Sequence, residues 1–156
     1  MDRLEEEVRR LFNESGFKLL EYSQVTRNAT TQLRIVSDRE VGNISVEECA
    51  QLTRELRNLI IEQKLLSDDF RMEISSPGLD YPLRDAWQYR KNVGRLLKVR
   101  IPGAKGPKEI RGRLIQYDET AGLTLQAESQ VHQLEQADVL SAVVLPEFKS
   151  PAESRR

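Results

Sequence analysis

The sequence contains one cysteine and one histidine, Cys49 and His132, residue types that can act together as nucleophile and base in covalent catalysis. A working pair would require the two side chains in contact and the thiol exposed as a thiolate. Cys49 instead falls on the apolar stripe of a predicted helix, together with Val46, Leu56 and Ile60. This position favours a packed core thiol over a nucleophile. We therefore predict no catalytic residues.

Metal-ligand and nucleotide-binding patterns are also missing from the sequence. The carboxylate runs Glu5-Glu6-Glu7 and Asp68-Asp69 have no neighbouring histidine and are typical of solvated helix ends. The glycines and lysines of residues 103–108 do not have the spacing of the phosphate-cradling Gly-x4-Gly-Lys-Ser/Thr loop. We predict no metal site, no cofactor and no enzymatic activity.

Positive charge is the remaining chemical signal, and it is unevenly distributed. The net charge is −1, but residues 1–83 contain 11 Lys and Arg against 16 Asp and Glu, whereas residues 84–156 contain 13 against 9. Within residues 84–113, ten Lys and Arg occur with only two acidic residues. This asymmetry indicates that the second half faces a polyanion, and a solvated cationic face without a ligand is the alternative.

Alternation along two predicted strands indicates where these cations lie. Apolar residues at 97, 99 and 101 alternate with Lys98 and Arg100, and those at 110 and 114 alternate with Arg111 and Arg113. If the strands pair as a hairpin, the four cations share one outer surface. Such a surface would bind nucleic-acid phosphate with a steep salt dependence and without reading sequence. The candidate nucleic-acid contacts are Arg84, Arg90, Lys91, Lys98, Arg100, Lys105, Lys108, Arg111 and Arg113.

The first half has the pattern of a two-layer α+β domain. Asp2 with Glu5, and Ser45 with Glu48, have the spacing of capping boxes that begin two amphipathic helices. Residues 18–27, 31–38 and 70–75 read as three strands whose apolar face the helices would cover. No Gly-x-x-Gly loop of the RNA-binding KH type occurs in residues 1–83, and this half is acidic. We therefore do not expect the first half to bind RNA independently.

The second half has the pattern of an all-β domain. Asp85 and Gln88 begin a short helix that Gly94 ends. Five short strands then follow in about fifty residues, with Gly112 allowing a bend or bulge, and they predict a small antiparallel barrel. The predicted domains are residues 1–83 and 84–148, followed by a disordered tail at 149–156.

A proline-containing motif lies where the two halves meet, Ser75-Ser76-Pro77-Gly78-Leu79-Asp80-Tyr81. The Pro77-Gly78 pair has the chemistry of a type II turn, since proline presets the first central φ and glycine accepts the positive second one. We call these seven residues the joint motif. It is either a rigid joint between domains or a joint whose shape also contacts a partner.

The run Glu73-Ile74-Ser75-Ser76-Pro77-Gly78-Leu79-Asp80-Tyr81-Pro82-Leu83 resembles the signature of the bacterial ribosome maturation factor RimP family. Gly16-Phe17, residues 33–36, residues 44–49 and the closing residues 144–148 also follow the order and spacing of that family. The resemblance covers all but the last eight residues. It departs from the family at Tyr81 and Ser141, where basic residues are usual.

The resemblance implies an N-terminal α+β domain, with two helices on a three-stranded sheet, followed by an Sm/SH3-like barrel. It also implies a non-enzymatic factor that binds immature small (30S) ribosomal subunits and assists their assembly. The implied partners are the small subunit, ribosomal RNA and ribosomal protein S-twelve. An Sm-like RNA-binding regulator, which would act as a ring, is the competing interpretation.

Location and assembly are also predicted from the sequence. No apolar run approaches the ~18 residues of a membrane helix, and we expect no membrane partner. The single cysteine suits a reducing compartment, and no charged-then-apolar secretory start is present. We therefore expect a cytoplasmic protein, and we expect a monomer.

Overall fold

A computed structural model describes residues 2–67, 69–78 and 80–147 of the chain. These residues form two compact units, and the division between them falls between Pro77 and Gly78. The predicted tail at 149–156 lies outside the described residues. Each unit has its own cluster of buried apolar side chains, and the two clusters have no residue in common.

The first unit alternates helices with strands in the order α1 (Arg3–Glu14), β1 (Lys18–Arg27), β2 (Thr30–Asp38), α2 (Val46–Glu62) and β3 (Asp69–Ser75). Both predicted helix starts are confirmed by their hydrogen bonds. The Glu5 N–H donates to the Asp2 carboxylate at 2.8 Å. At α2, Ser45 and Glu48 form a reciprocal capping box, which satisfies donors that a helix start leaves without partners.

The sheet of the first unit has the order β1-β2-β3, with β1 antiparallel and β3 parallel to β2. Asn28 and Ala29 form the tight β1–β2 turn, and both have positive φ, as a type I′ turn requires. Helix α2 connects the parallel strands β2 and β3. Side chains of both helices pack on one face of the sheet around Leu33 and Ile35, which are fully buried. The α+β class predicted for this half is therefore confirmed.

The second unit begins with helix α3 (Ala86–Lys91) and continues as strands. The strands are β4 (Leu96–Ile101), β5 (Lys108–Asp118), β6 (Gly122–Ala127), β7 (Gln130–Leu134) and β8 (Ser141–Val144), with a 3₁₀ turn at Gln136–Asp138. They form one antiparallel sheet of order β7-β6-β5-β4-β8. Strand β4, the first strand of this unit, thus lies between β5 and β8. The β-rich prediction is confirmed, and since no pairing joins β7 to β8 in the described chain, closure into a barrel stays a prediction.

The core of the second unit lies on the inner face of this sheet. Leu97, Val99, Leu114 and Leu125 are fully or almost fully buried there. Tyr89 of α3 packs against the same core and stacks on Tyr117, with ring centroids 4.9 Å apart. Burial raises the pKa of Tyr89 to about 12, so its hydroxyl stays protonated and donates to the Leu83 carbonyl.

Two local predictions are wrong. Gly78 does not have positive φ, so Pro77-Gly78 is not the centre of a type II turn. The turn lies two residues later, where the Tyr81 N–H donates to the Gly78 carbonyl at 3.1 Å. Gly112 continues the regular β4–β5 register, and the bulge lies at Ile115, between Leu114 and Gln116. The close approach of β6 instead favours glycine here, because a Cβ would lie 3.2 Å from the Gln126 carbonyl oxygen.

The division between the units falls inside the joint motif rather than after Leu83. Leu83 belongs to the second core, and its N–H donates to the Ala142 carbonyl at 2.8 Å. Ser75, Ser76 and Pro77 belong to the first unit, and Gly78 begins the second. The second unit therefore begins before Arg84, the residue at which the second domain is predicted to start.

Candidate nucleic-acid interface

Strands β4 and β5 pair as the hairpin that the alternation predicts. Lys98 lies directly opposite Arg111, and Val99 lies opposite Ile110. The apolar partners face the core, so Lys98, Arg100, Arg111 and Arg113 face outward. Lys108 lies opposite Ile101, on the alternate that includes Ile110, and is exposed at the start of β5. We call this element the basic hairpin, and its cations are Lys98, Arg100, Lys105, Lys108, Arg111 and Arg113.

Two cations of the basic hairpin are neutralised within the unit. Arg113 forms a bidentate pair with Glu147, with the shorter N–O distance 2.6 Å, and also donates to the Gly94 carbonyl. This bond raises the pKa of Arg113 and lowers the pKa of Glu147. Arg111 pairs with Glu109 at 2.9 Å. Both cations are held by neighbouring acids and are less available to a ligand.

The other four cations have no ion pair within the described residues. Lys98 and Arg100 are on β4, Lys108 begins β5, and Lys105 is in the connecting loop. Arg100 has Glu109 as its register partner, but that carboxylate pairs with Arg111 instead. Because like charges on neighbouring strands repel, four uncompensated cations on one hairpin raise the free energy of the unit slightly. A bound polyanion would remove that repulsion.

The remaining candidates lie around helix α3. Arg84 is exposed, and its side chain has no ion pair among the described residues, although its backbone N–H donates to Gln88. Arg90 and Lys91 occupy the last turn of α3, where a cation stabilises the helix dipole. Arg90 also pairs with Glu119 at 2.8 Å.

Sequence reasoning did not single out Arg95 or the acids that neutralise the hairpin. Arg95 precedes β4, and its side chain is exposed. The ion pairs of Arg113 and Arg90 span 34 and 29 residues. No local pattern indicates such pairs, because the contacts exist only once the sheet has formed. Only the count of cations in residues 84–113 pointed to Arg95.

The joint motif divides between the two units. Ser75 ends β3, and Ser76 and Pro77 follow it in the first unit. Gly78, Asp80 and Tyr81 form the start of the second unit, and Leu79 lies outside the described residues. A Cβ built on Gly78 would meet no atom within 4 Å. Neither backbone angle nor space within the chain requires glycine at this position.

The two potential catalytic side chains lie in different units. Cys49 is half-buried in α2 and packs on the first core, and burial together with Glu48 and Asp38 raises the pKa of its thiol. A raised pKa opposes formation of the reactive thiolate. His132 lies on β7 of the second unit.

Two further surveys cover the described residues alone. They contain no group of three or more His, Cys, Asp or Glu side chains arranged to hold a metal ion. None of the three helices within residues 2–147 is long and apolar enough to span a membrane.

Comparison with known families identifies the first unit. Residues 7–80 match the family model described as the RimP N-terminal domain. The match begins within α1, includes α2 and the whole sheet, and ends inside the joint motif. It confirms the resemblance over residues 7–80.

Proposed function

Since the chain belongs to the RimP family of ribosome maturation factors, we propose that it binds immature small (30S) ribosomal subunits and assists their assembly without catalysing a covalent change. The basic hairpin would lie against ribosomal RNA. The acidic first unit and the joint motif would offer a protein-facing surface, and ribosomal protein S-twelve is the partner implied by the resemblance. We expect this activity in the cytoplasm.

The observation that supports RNA binding most strongly is the set of unpaired cations on the basic hairpin. Lys98, Arg100, Lys105 and Lys108 have no ion pair among the described residues, although acidic residues are available in the same unit. This arrangement costs a small repulsion that scattered or paired charges would avoid, and a bound polyanion would offset that repulsion. Phosphate is the polyanion that a ribosomal subunit presents.

Assistance with assembly follows if the factor prefers an incompletely folded subunit. A ligand shifts a conformational equilibrium only by its difference in affinity for the two states. A factor that binds an immature state more tightly holds that state open for the next ribosomal protein. It dissociates once the mature state, which it binds weakly, predominates.

Substitution of the four unpaired cations tests the RNA-facing role. A variant with Lys98→Gln, Arg100→Gln, Lys105→Gln and Lys108→Gln should lose affinity for small subunits. The negative slope of log affinity against log salt should also become shallower by about 3. A matched control carries Arg9→Gln, Arg10→Gln, Arg54→Gln and Lys64→Gln, which change the net charge equally on the first unit. If both variants bind like the wild type, the basic hairpin does not contact RNA.

The competing Sm-like regulator is favoured by one observation. Strands β7 and β8 are the edges of the five-stranded sheet, and ring assembly requires such edges. Sedimentation equilibrium separates the two functions, because the assembly factor is expected to be a monomer. A closed ring in solution would favour the regulator.

A further inference from the structure

The first unit contains a second group of unpaired cations, separate from the basic hairpin. Six of its nine arginines contact an acid, an amide or an aromatic ring, namely Arg3, Arg9, Arg10, Arg39, Arg54 and Arg57. The other three, Arg27, Arg34 and Arg71, have no such partner among the described residues. All three are exposed.

These three arginines lie on one face of the sheet. The strand register places Val25, Gln32 and Arg71 side by side in one row across the sheet. The next row contains Ser23, Arg34 and Glu73. Arg27 belongs to the row on the other side, with Thr30 and Asp69. Paired residues share a face, and this face is opposite to the one that α1 and α2 cover.

Two of the three arginines line a hollow of about 390 Å³ on this face. Its walls are formed by Val25, Arg27, Asn28, Thr30, Gln32 and Arg71. Arg27 and Arg71 are two strands and two residues apart, which places their Cα atoms about 12 Å apart. Their long side chains can therefore converge on one ligand above Gln32. None of the described residues that line the hollow is acidic.

We propose that this hollow binds a phosphate group of RNA. Two guanidinium groups supply charge-assisted donors, and the Asn28 amide, the Thr30 hydroxyl and the Gln32 amide supply neutral ones. This number of donors suits the several acceptor oxygens of a phosphate better than the two of a carboxylate. Val25 is 45% exposed beside the charges and offers apolar surface to a ribose or a base.

The surroundings of the hollow restrict the ligand to a short segment. Asp69 and Glu73 lie on the same face, in the rows of Arg27 and Arg34. They would repel a phosphate chain that continued along the sheet, so the hollow suits one or two phosphates of a single strand rather than a duplex. The acidic total of the first half conceals this site, because many of its acids lie on α1 and α2 rather than on the open face of the sheet.

This inference deepens the proposed function, and its RNA partner rests on that function. The test is an NMR titration of the ¹⁵N-labelled full chain with hexauridylate, and separately with inorganic phosphate at the same phosphate concentration. We expect the backbone amides of residues 25–32 and 71 to shift with hexauridylate and much less with inorganic phosphate. In the Arg27→Gln, Arg71→Gln variant, the dissociation constant at these amides should rise about tenfold or more.

The matched control is Arg9→Gln, Arg54→Gln, which removes the same charge from the helices and should leave these shifts unchanged. Absence of shifts at 25–32, or equal shifts in wild type and the Arg27→Gln, Arg71→Gln variant, would overturn the inference. Equal shifts with inorganic phosphate would overturn the assignment to RNA. The amides of residues 97–113 report the basic hairpin separately, so failure of the hollow is distinguishable from failure of the proposed function.

Discussion

The sheets of the two units differ in how their cations are partnered. In the first unit, most arginines contact an acid, an amide or a ring, and the unpaired ones occupy the face that the helices leave open. In the second unit, four cations without an ion pair among the described residues lie on one hairpin, and apolar residues of the same strands pack in the core. The net charge of a domain therefore does not show where a charged ligand would bind. Ion pairs neutralise some of the cations, and these contribute little to the surface that a ligand meets.

The largest expected effect tests whether the two units, each with its own core, unfold independently. Leu125→Ala and Leu33→Ala each remove a fully buried side chain and should each destabilise their own unit by about 2–5 kcal/mol. Trp87 is the single tryptophan and lies in the second unit. Its fluorescence in a urea titration should report the Leu125 substitution alone. An equal shift of the Trp87 transition by Leu33→Ala would show that the units unfold together.

A second prediction separates a glycine that the fold requires from one that it does not. Gly122 has φ +89°, and a Cβ there would collide with the Leu134 carbonyl, so Gly122→Ala should cost more than about 2 kcal/mol. Gly78→Ala should leave stability unchanged or raise it by about 0.4–1 kcal/mol. The Trp87 transition measures both variants.

The Gly78 variant also sharpens the interpretation of the joint motif. If it folds normally yet loses affinity for small subunits, the motif contacts a partner that requires the open space at Gly78. If it folds normally and binds normally, this glycine is not a partner contact. A large loss of stability would contradict the structural account of this residue.

A third prediction concerns the ion pair that neutralises Arg113. Because the hydrogen bond from Arg113 lowers the pKa of Glu147, the pair stabilises the second unit above the pKa of the unfolded glutamate. This stabilisation is lost as the pH falls through the lowered pKa of the folded state. The stability difference between wild type and Glu147→Gln should therefore be present at pH 7 and absent in strongly acidic solution. A difference that persists unchanged in acid would exclude the ion pair as its cause.

The smallest expected effect concerns the β1–β2 turn of the first unit. Ala29 has φ +59°, which costs a residue with a Cβ about 1–2 kcal/mol, and glycine avoids this cost at an entropic penalty of about 0.5–1 kcal/mol. Ala29→Gly should therefore raise the stability of the first unit by roughly 0.5–1 kcal/mol. Far-UV circular dichroism on heating measures the change. Ala29→Val is the opposing control and should lower the melting temperature.

Local features were predictable from the sequence because their causes are local. Asp2 and Ser45 cap helices through residues three positions away, and the alternation around Lys98 and Arg111 places both side chains on the outer face. The hairpin follows from that alternation and a short loop. The family resemblance likewise depended on a contiguous run of residues.

Features set by distant contacts were not predictable. Leu83, just after the turn at residues 78–81, hydrogen-bonds to the distant Ala142, and the bulge at Ile115 lies where β5 pairs with β6. The same is true of Glu147, whose partner is 34 residues away. The grouping of Arg27, Arg34 and Arg71 requires the strand register, which brings together residues from three strands.

The most direct test of the account is a crosslinking map of the full chain on small subunits isolated during assembly. Lys98, Lys105 and Lys108 should crosslink to ribosomal RNA on immature small subunits, and the protein should be missing from translating ribosomes. Crosslinks to RNA from other surfaces alone, or co-migration with mature translating ribosomes, would contradict the proposed function.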